Sequence, residues 1–389
     1  MCYDNAKVVR KVIDMKSAVT TMPLNPSDVL PGLPPEATIL FIRLRSLGDT
    51  ILSTPLYAAL KTWRPDLRIS VLVEVPNDEV LSHNPHIEHV LAISPANESN
   101  WKGLRARLST LTALRGNHFD CCINLHGGST SAWLTALSGA RYRVGDHRFR
   151  NAFAYNVQVD STSTRSPENK IHTVEHQIEW LRVLGLPKAE IPPLKVFLNP
   201  TLKAAANDHL EKAGLEPGSR YAVIQPTSKF YTKQWTAEGF AEIADYLKKS
   251  HGLSVLLTGG PGEEEKLKTI QEKSHSKPAV LTSVSISQLA WILSSASIFV
   301  GNDSGPTHLA AALSIPIVVL FGSSDSALWS PWRTPSQIVQ NPFDCNPCAG
   351  YRCLVYDEPR CILSITSSQV KAAIEALLRG NPRQETLSV

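Results

Sequence analysis

The sequence contains no apolar run approaching the roughly 20 residues that a membrane-spanning helix needs, so we expect no transmembrane helix. Its first 21 residues are repeatedly interrupted by lysine, arginine and aspartate, which argues against a secretory signal and favours a cytoplasmic protein. No basic stretch is interleaved with aromatic residues, and the net charge is only +4. We therefore expect no nucleic-acid partner, although an anionic ligand or membrane surface fits this mildly basic balance.

Two familiar catalytic patterns are missing as well. Neither half of the chain carries the G-x-G-x-x-G fingerprint of a dinucleotide-binding domain, which disfavours a nicotinamide-dependent oxidoreductase. There is no G-x-S-x-G turn either, which disfavours a serine hydrolase of the α/β type.

The most informative stretch that is present runs from residue 297 to residue 322. It begins with the apolar segment SIFVG and ends with IPIVVLFG, both typical of buried strands. Between them, NDSGPTHLAAAL offers helix-capping side chains followed by strong helix formers. A strand, helix and strand in this order predict a unit of a parallel sheet, with a helix N-terminus that favours an anion such as phosphate.

The same alternation of apolar strands and amphipathic helices occurs on both sides of a proline-rich segment, IPPLKVFLNP. The chain is long enough, at 389 residues, for two domains. We predict an α/β protein with an N-terminal extension and linker (1–36), one Rossmann-like domain (37–195) and a second with a cysteine-rich tail (196–389). Ligands of such sheets bind beyond the carboxyl ends of the strands, so we expect the two parallel sheets to face a central cleft.

In the first half, two polar loops follow predicted strands. Asp49 lies in RSLGDT, where its carboxylate can accept a proton or cap a helix predicted over 51–63. Arg43 and Arg45 flank that loop, either as surface charges or as contacts for an anionic group. The second loop, HGGSTS, contains His126 and Gly127 and is explained equally well by a tight strand-to-helix turn.

In the second half, the polar loop after YAVIQP offers hydroxyl groups and an ammonium group that suit a diphosphate. A glycine-rich loop, TGGPGEEE, precedes a helix whose acidic first turn needs no ligand to explain it. The candidate residues of this half, with those of the central stretch, are Thr227, Ser228, Lys233, Glu263, Asp303, Ser304, Gly305 and His308.

Four of the seven cysteines lie close together near the end of the chain in a C-x2-C-x4-C-x7-C pattern. Such thiols hold a structural metal such as zinc, stay free, or form disulfides, and a reducing compartment favours the metal over the disulfides. The members of this group are Cys345, Cys348, Cys353 and Cys361.

Three motifs together give a family resemblance that spans residues 37–375. RSLGD, TSKFYTKQW and GNDSGPTHLAA resemble, in order and spacing, the motifs of the bacterial heptosyltransferases of glycosyltransferase family 9. The resemblance implies a GT-B fold, with Asp49 as the general base and Lys233 on the donor pyrophosphate. It also implies that the loop of His126 and Gly127 faces the acceptor, and that a carboxylate near Glu263 meets the ribose.

The activity implied by this resemblance is inverting transfer of heptose from ADP-L-glycero-β-D-manno-heptose. The acceptor would be a Kdo or heptose residue of a lipid A core at the cytoplasmic face of the inner membrane, and catalysis would require no metal cofactor. The alternatives are another GT-B nucleotide-sugar transferase, a sugar-nucleotide epimerase and a non-catalytic sugar-nucleotide binder.

Overall fold

Two six-stranded parallel sheets form the framework of this computed structural model. The structure describes residues 25–95, 114, 116–160, 170–216, 218–348 and 350–379. A helix that the sequence also predicts over residues 101–115 falls almost entirely outside these ranges. Within them, no helix is both long enough and apolar enough to cross a membrane.

The first sheet has the strand order β3-β2-β1-β4-β5-β6. Its strands are rich in isoleucine, valine and leucine because helices cover both faces of the sheet. Their bounds are β1 Thr38–Ile42, β2 Arg68–Glu74, β3 His89–Ile93, β4 Cys121–Asn124, β5 Tyr142–Asp146 and β6 Val157–Val159. The helices of this half are α1 Leu47–Leu52, α2 Thr54–Trp63, α3 Ser129–Leu137 and α4 Thr173–Val183.

The second sheet repeats this topology, with the order β12-β11-β10-β7-β8-β9. Its strands are β7 Tyr221–Gln225, β8 Ser254–Thr258, β9 Ala279–Leu281, β10 Ile298–Asn302, β11 Ile317–Leu320 and β12 Ser336–Val339. Its helices are α5 Lys203–Lys212, α6 Ala237–His251, α7 Glu264–Lys273, α8 Ile286–Ser294, α9 Gly305–Ala312, α10 Ser326–Trp329, α11 Arg360–Leu363 and α12 Ser367–Arg379. The predicted pair of parallel Rossmann-like sheets is therefore confirmed.

Helix α6 shows how closely local sequence fixed some boundaries. The Thr236 hydroxyl accepts a hydrogen bond from the Gly239 N–H at 3.0 Å, as an N-cap does. Gly252 ends the helix with φ +64°, a left-handed conformation that glycine adopts without strain. A capping threonine and a terminating glycine, both visible in the sequence, thus mark the two ends of this helix.

Residues 25–36 differ from the linker expected there. Val29 and Leu30 are fully buried and Leu33 nearly so, and they belong to the core of the first half. The Leu30 N–H also donates to the carbonyl oxygen of Leu184 at 3.0 Å, just beyond helix α4. This segment is therefore packed into the first domain.

The two halves contact each other directly. Helices α1 and α9 pack together by their first turns, and Gly48 lies against the ring of His308. A second contact joins the Ser287 N–H, at the start of α8, to a carboxylate oxygen of Glu79 at 2.9 Å. Residues 191–200, predicted as the interdomain linker, contain no strand and no α-helix. The two sheets therefore face one cleft.

Candidate active site

The cleft between the halves has a volume of about 1050 Å³. Both sheets reverse their strand order between two central strands, β1 and β4 in the first and β7 and β10 in the second. Loops that follow such strands diverge and leave a crevice for ligands. The polar loops singled out in the sequence follow these four strands, with the glycine-rich loop after β8 beside them.

Asp49 lies in the first turn of α1 and lines the cleft. One of its carboxylate oxygens accepts hydrogen bonds from the N–H and hydroxyl of Ser46 at 3.1 and 3.0 Å. The other forms an ion pair with the Arg43 guanidinium. Ser46, rather than Asp49, is the N-cap residue, so the helix begins at Leu47, earlier than expected. The carboxylate is thus held in place while 22% of the side chain stays exposed to the cleft.

Positive charge and a neutral imidazole surround this carboxylate. The side chain of Arg43 is nearly buried. That of Arg45 is 57% exposed, and its Nε atom lies 3.5 Å from a carboxylate oxygen of Glu74. Burial, helped by the charges of Arg43 and Arg45, lowers the pKa of His126 to about 4. His126 is therefore neutral near pH 7, and the exposed guanidinium of Arg45 is the cationic group on this wall that an anionic ligand can reach.

Gly127 is the one N-terminal candidate that does not line the cleft. Its φ is +72°, and a Cβ atom there would lie 2.4 Å from the ring of Phe149. Glycine is favoured here because the backbone is left-handed and the Phe149 ring leaves no room for a side chain. This agrees with the tight strand-to-helix turn that the sequence also suggested.

On the opposite wall, Lys233 and Asp303 form a buried ion pair with an N–O distance of 2.7 Å. The same carboxylate oxygen of Asp303 accepts a hydrogen bond from the Ser324 hydroxyl, and Ser228 donates to the Asp303 carbonyl oxygen at 3.2 Å. An ammonium group placed in this way can turn toward a phosphate that enters the cleft.

A chain of hydrogen bonds continues along the ends of the neighbouring strands. Thr258 donates to Gln225 at 2.7 Å, Gln225 to Thr227 at 2.6 Å, and Thr227 to Glu263 at 2.6 Å. Glu263 also accepts from the Gly260 N–H at 2.7 Å. The carboxylate of Glu263 thus turns back over the glycine-rich loop, and helix α7 begins one residue later.

The N-terminus of α9 completes this wall. Ser304 is its N-cap residue and Gly305 its first residue, and both line the cleft. Burial lowers the pKa of His308 to about 4, so its ring is neutral near pH 7. Its Nδ1 atom is buried and has no hydrogen-bond partner in the part of the chain the structure describes. Free N–H groups and the helix dipole at this end favour a bound anion.

Other residues that line the cleft escaped the sequence analysis: Glu79, Gln225, Phe230, Thr258, Trp329 and Tyr351. Ser324, which holds Asp303, follows β11 in the run GSSD. A polar run directly after a predicted strand was the available signal for it. Glu79 and Tyr351 carry no such signal, because each reaches the cleft only through tertiary packing.

The four clustered cysteines are free thiols, so no disulfide joins them. Among the described residues, no three histidine, cysteine, aspartate or glutamate side chains are placed together as metal ligands. The residues as arranged do not fit a zinc ion, and the structural metal stays a prediction. Cys121 and Cys122 are buried in β4, as expected for packing residues.

The arrangement therefore sets a carboxylate on one wall of a deep cleft against a lysine and a helix N-terminus on the other. His308 lies within electrostatic range of Asp49, Lys233 and Asp303. A group that accepts a proton can thus face a site that stabilises a departing phosphate. Two Rossmann-like domains with such a cleft define the GT-B class of glycosyltransferases.

Residues 107–357 match the family model described as glycosyltransferase family 9 (heptosyltransferase). The chain belongs to this family and is a glycosyltransferase. It is 29% identical over 305 residues to lipopolysaccharide heptosyltransferase 3 of Escherichia coli K12, with 74% of this chain and 83% of that protein covered.

Two solved structures support the fold. A family 9 glycosyl transferase from Veillonella parvula has a TM-score of 0.75 and 22% identity, with 89% of this chain and 98% of that chain covered. The heptosyltransferase WaaC of E. coli, solved with ADP, has a TM-score of 0.68 and 23% identity, with coverage of 87% and 99%. Both likenesses confirm the GT-B architecture predicted from the sequence.

Proposed function

We propose that this glycosyltransferase transfers heptose from ADP-L-glycero-β-D-manno-heptose to a Kdo or heptose residue of the lipopolysaccharide core, with inversion at the anomeric carbon. The observation that carries the proposal is the single cleft in which Asp49 faces Lys233 and the start of α9. Membership of the family and the ADP bound in the WaaC structure support the nature of the donor.

The donor occupies the C-terminal wall in this proposal. Lys233 and the N–H groups at the start of α9 stabilise the negative charge that develops on the departing diphosphate, where such interactions contribute most to the rate. Glu263, held by Thr227, accepts hydrogen bonds from the ribose hydroxyls. Asp303 holds Lys233 in position until the phosphates arrive.

The acceptor occupies the N-terminal wall, where Arg43, Arg45 and His126 meet its phosphate or carboxylate groups. An acceptor hydroxyl attacks the anomeric carbon, a new C–O bond forms, and the bond from that carbon to the diphosphate oxygen breaks. The hydroxyl proton passes to Asp49, and ADP leaves with the electron pair of the broken bond. Attack from the face opposite ADP inverts the anomeric configuration.

The test is turnover of ADP-heptose with lipid A cores that end in Kdo or in heptose, with product stereochemistry read by NMR. Asp49→Asn should lower kcat roughly 100- to 10,000-fold, because the general base is lost. ADP should still raise the melting temperature of this variant, since its donor wall is intact.

Asp66→Asn is the matched control, because Asp66 is also a carboxylate paired with an arginine, Arg64, but lies outside the cleft. It should retain wild-type kcat. Turnover of a UDP- or GDP-sugar in preference to ADP-heptose would refute the donor assignment, and wild-type turnover by Asp49→Asn would refute the proposed base.

A further inference from the structure

Two large aromatic rings stand exposed on the N-terminal half. Trp133, on α3, is 57% exposed, and Phe153, in the short helical turn 152–154, is 58% exposed. Their ring centroids are 5.0 Å apart, so they form one surface, which we call the aromatic patch. Exposed apolar surface of this kind is costly in water and marks contact sites.

The backbone under both rings is held in place. Ala132 and Ala154, the neighbours of Trp133 and Phe153 in the chain, are fully buried in one small cluster. The Arg143 guanidinium donates to the Ala154 carbonyl oxygen at 3.0 Å. The rings are therefore presented by a fixed scaffold, and their exposure does not come from a loose loop end.

The chain segment that contains Phe153 carries a net positive charge. Residues 141–160 contain four arginines and two aspartates, a net charge of +2. Arg150, three residues before Phe153, is exposed and forms no ion pair within the ranges that the structure describes. Aromatic rings flanked by arginine are the combination that binds at the interface of an anionic membrane.

A second exposed apolar pair gives a comparison within the same chain. Leu354 and Val355 are 68% and 59% exposed. Residues 344–361 around them contain two arginines and three acidic residues, a net charge of −1. The segment around the aromatic patch is therefore positively charged, and the segment around this second pair is slightly negative.

The aromatic patch also lies close to the acceptor wall of the cleft. Ser129 begins α3 only three residues after His126, and Trp133 lies one helical turn further on. Asn151 donates to the Ser129 hydroxyl at 3.3 Å, which ties the segment before Phe153 to the same turn. A surface that touches the aromatic patch therefore reaches the edge of the cleft beside His126.

We infer that the aromatic patch docks this enzyme on an anionic lipid bilayer. The rings enter the interfacial region, and Arg150 meets the lipid phosphates. The consequence for catalysis rests on the proposed function: docking in this orientation presents a lipid-anchored acceptor to the wall that contains Asp49.

The test is flotation of the full chain with phosphatidylcholine vesicles, with and without phosphatidylglycerol. Trp133→Ala/Phe153→Ala should lower the partition coefficient on anionic vesicles about tenfold or more, because both apolar anchors are lost. Arg150→Gln should lower it about fivefold on anionic vesicles and leave neutral vesicles unaffected.

Leu354→Ala/Val355→Ala is the matched control, because it removes a similarly exposed apolar pair. It should bind anionic vesicles within about twofold of wild type, since its surroundings are acidic. All variants should keep the wild-type melting temperature and its increase with ADP, which shows that they are folded.

Wild-type vesicle binding by Trp133→Ala/Phe153→Ala would overturn the inference, and so would loss of binding only in the Leu354/Val355 control. Loss of a dimer in sedimentation, with vesicle binding unchanged, would assign the aromatic patch to a protein contact instead. Failure of the enzyme on every heptose acceptor would refute the proposed function but leave the vesicle result intact. If the docking and the proposed function both hold, Trp133→Ala/Phe153→Ala should lower kcat/KM on an acceptor embedded in vesicles. The same variant should keep the wild-type kcat/KM on a deacylated core.

Discussion

Replacement of Gly48 by alanine tests whether the contact between α1 and α9 closes the cleft. An added Cβ atom would lie 2.8 Å from Cδ2 of His308, well inside the 3.5–4.0 Å of an ordinary carbon contact. Such overpacking typically costs about 1–3 kcal/mol. Alanine also gains about 1 kcal/mol over glycine inside a helix. The N-terminal half itself should fold at least as well as before, while the closed arrangement is disfavoured.

The helix-propensity gain is the same whether the cleft is open or closed, so the cost to closure stays at about 1–3 kcal/mol, which lowers the population of the closed state roughly 5- to 150-fold. We expect kcat/KM for ADP-heptose to fall by a similar factor, because His308 and the α9 N-terminus move away from Asp49. Small-angle X-ray scattering should show a larger radius of gyration for Gly48→Ala with ADP bound. The melting temperature without ligand should change little.

Gly116→Ala is the control, because a Cβ atom at Gly116 would meet no atom of the described residues within 4 Å. It should match wild type in both kinetics and scattering. If Gly48→Ala keeps wild-type kcat/KM and wild-type scattering with ADP, the contact between α1 and α9 does not govern closure. If its melting temperature falls sharply without ligand, the effect is on folding and the reasoning is wrong.

Three further outcomes follow from the site and the cysteine segment. Lys233→Met should weaken ADP binding roughly 10- to 100-fold in calorimetry, because a charge-assisted bond to the phosphates is lost, and unchanged affinity would refute its role. The pKa of His308, about 4, lies below the value of about 6.5 in an unfolded chain, so the unfolded state binds the proton first as pH falls. The free energy of unfolding should therefore fall between pH 6.5 and pH 4, and His308→Gln should flatten that slope in pH-dependent denaturant titrations. In a native thiol titration, Cys361 should react more slowly than the other cysteines of its cluster, because burial raises its pKa; protection of all four until a chelator is added would favour the predicted metal.

Much of the framework could be predicted because strands of a parallel sheet are apolar on both faces. In the central stretch, β10 and α9 lie where the apolar segment and the capping residues placed them. Strand β6, only three residues long, was missed because VQV is too short to show a period. Residues 25–36 were mistaken for a linker because their prolines were weighed more heavily than Val29 and Leu30.

The candidate residues were found to the extent that their chemistry is local. Lys233 and Asp303 each follow a strand that ends at the cleft, and parallel strands bring their carboxyl ends to one edge. Their ion pair could not be predicted, since it depends on how far apart the adjacent strands β7 and β10 hold the two loops. Gly127 is a candidate whose chemistry is structural. Its left-handed backbone and the nearby Phe149 ring account for the glycine without a ligand.

Gly48 and His308 come from different halves of the molecule, so their contact couples closure of the cleft to the proposed chemistry. Gly48 precedes the proposed base, and His308 lies on the helix that faces the leaving group. Their close approach requires a residue without a side chain on one helix and an uncharged ring on the other. Burial lowers the pKa of His308, so its ring is neutral near pH 7 and the contact with Gly48 does not place a desolvated cation between the halves. In the proposed mechanism, closure of the halves brings Asp49 and the phosphate site together, and we expect it to exclude water when the donor becomes reactive.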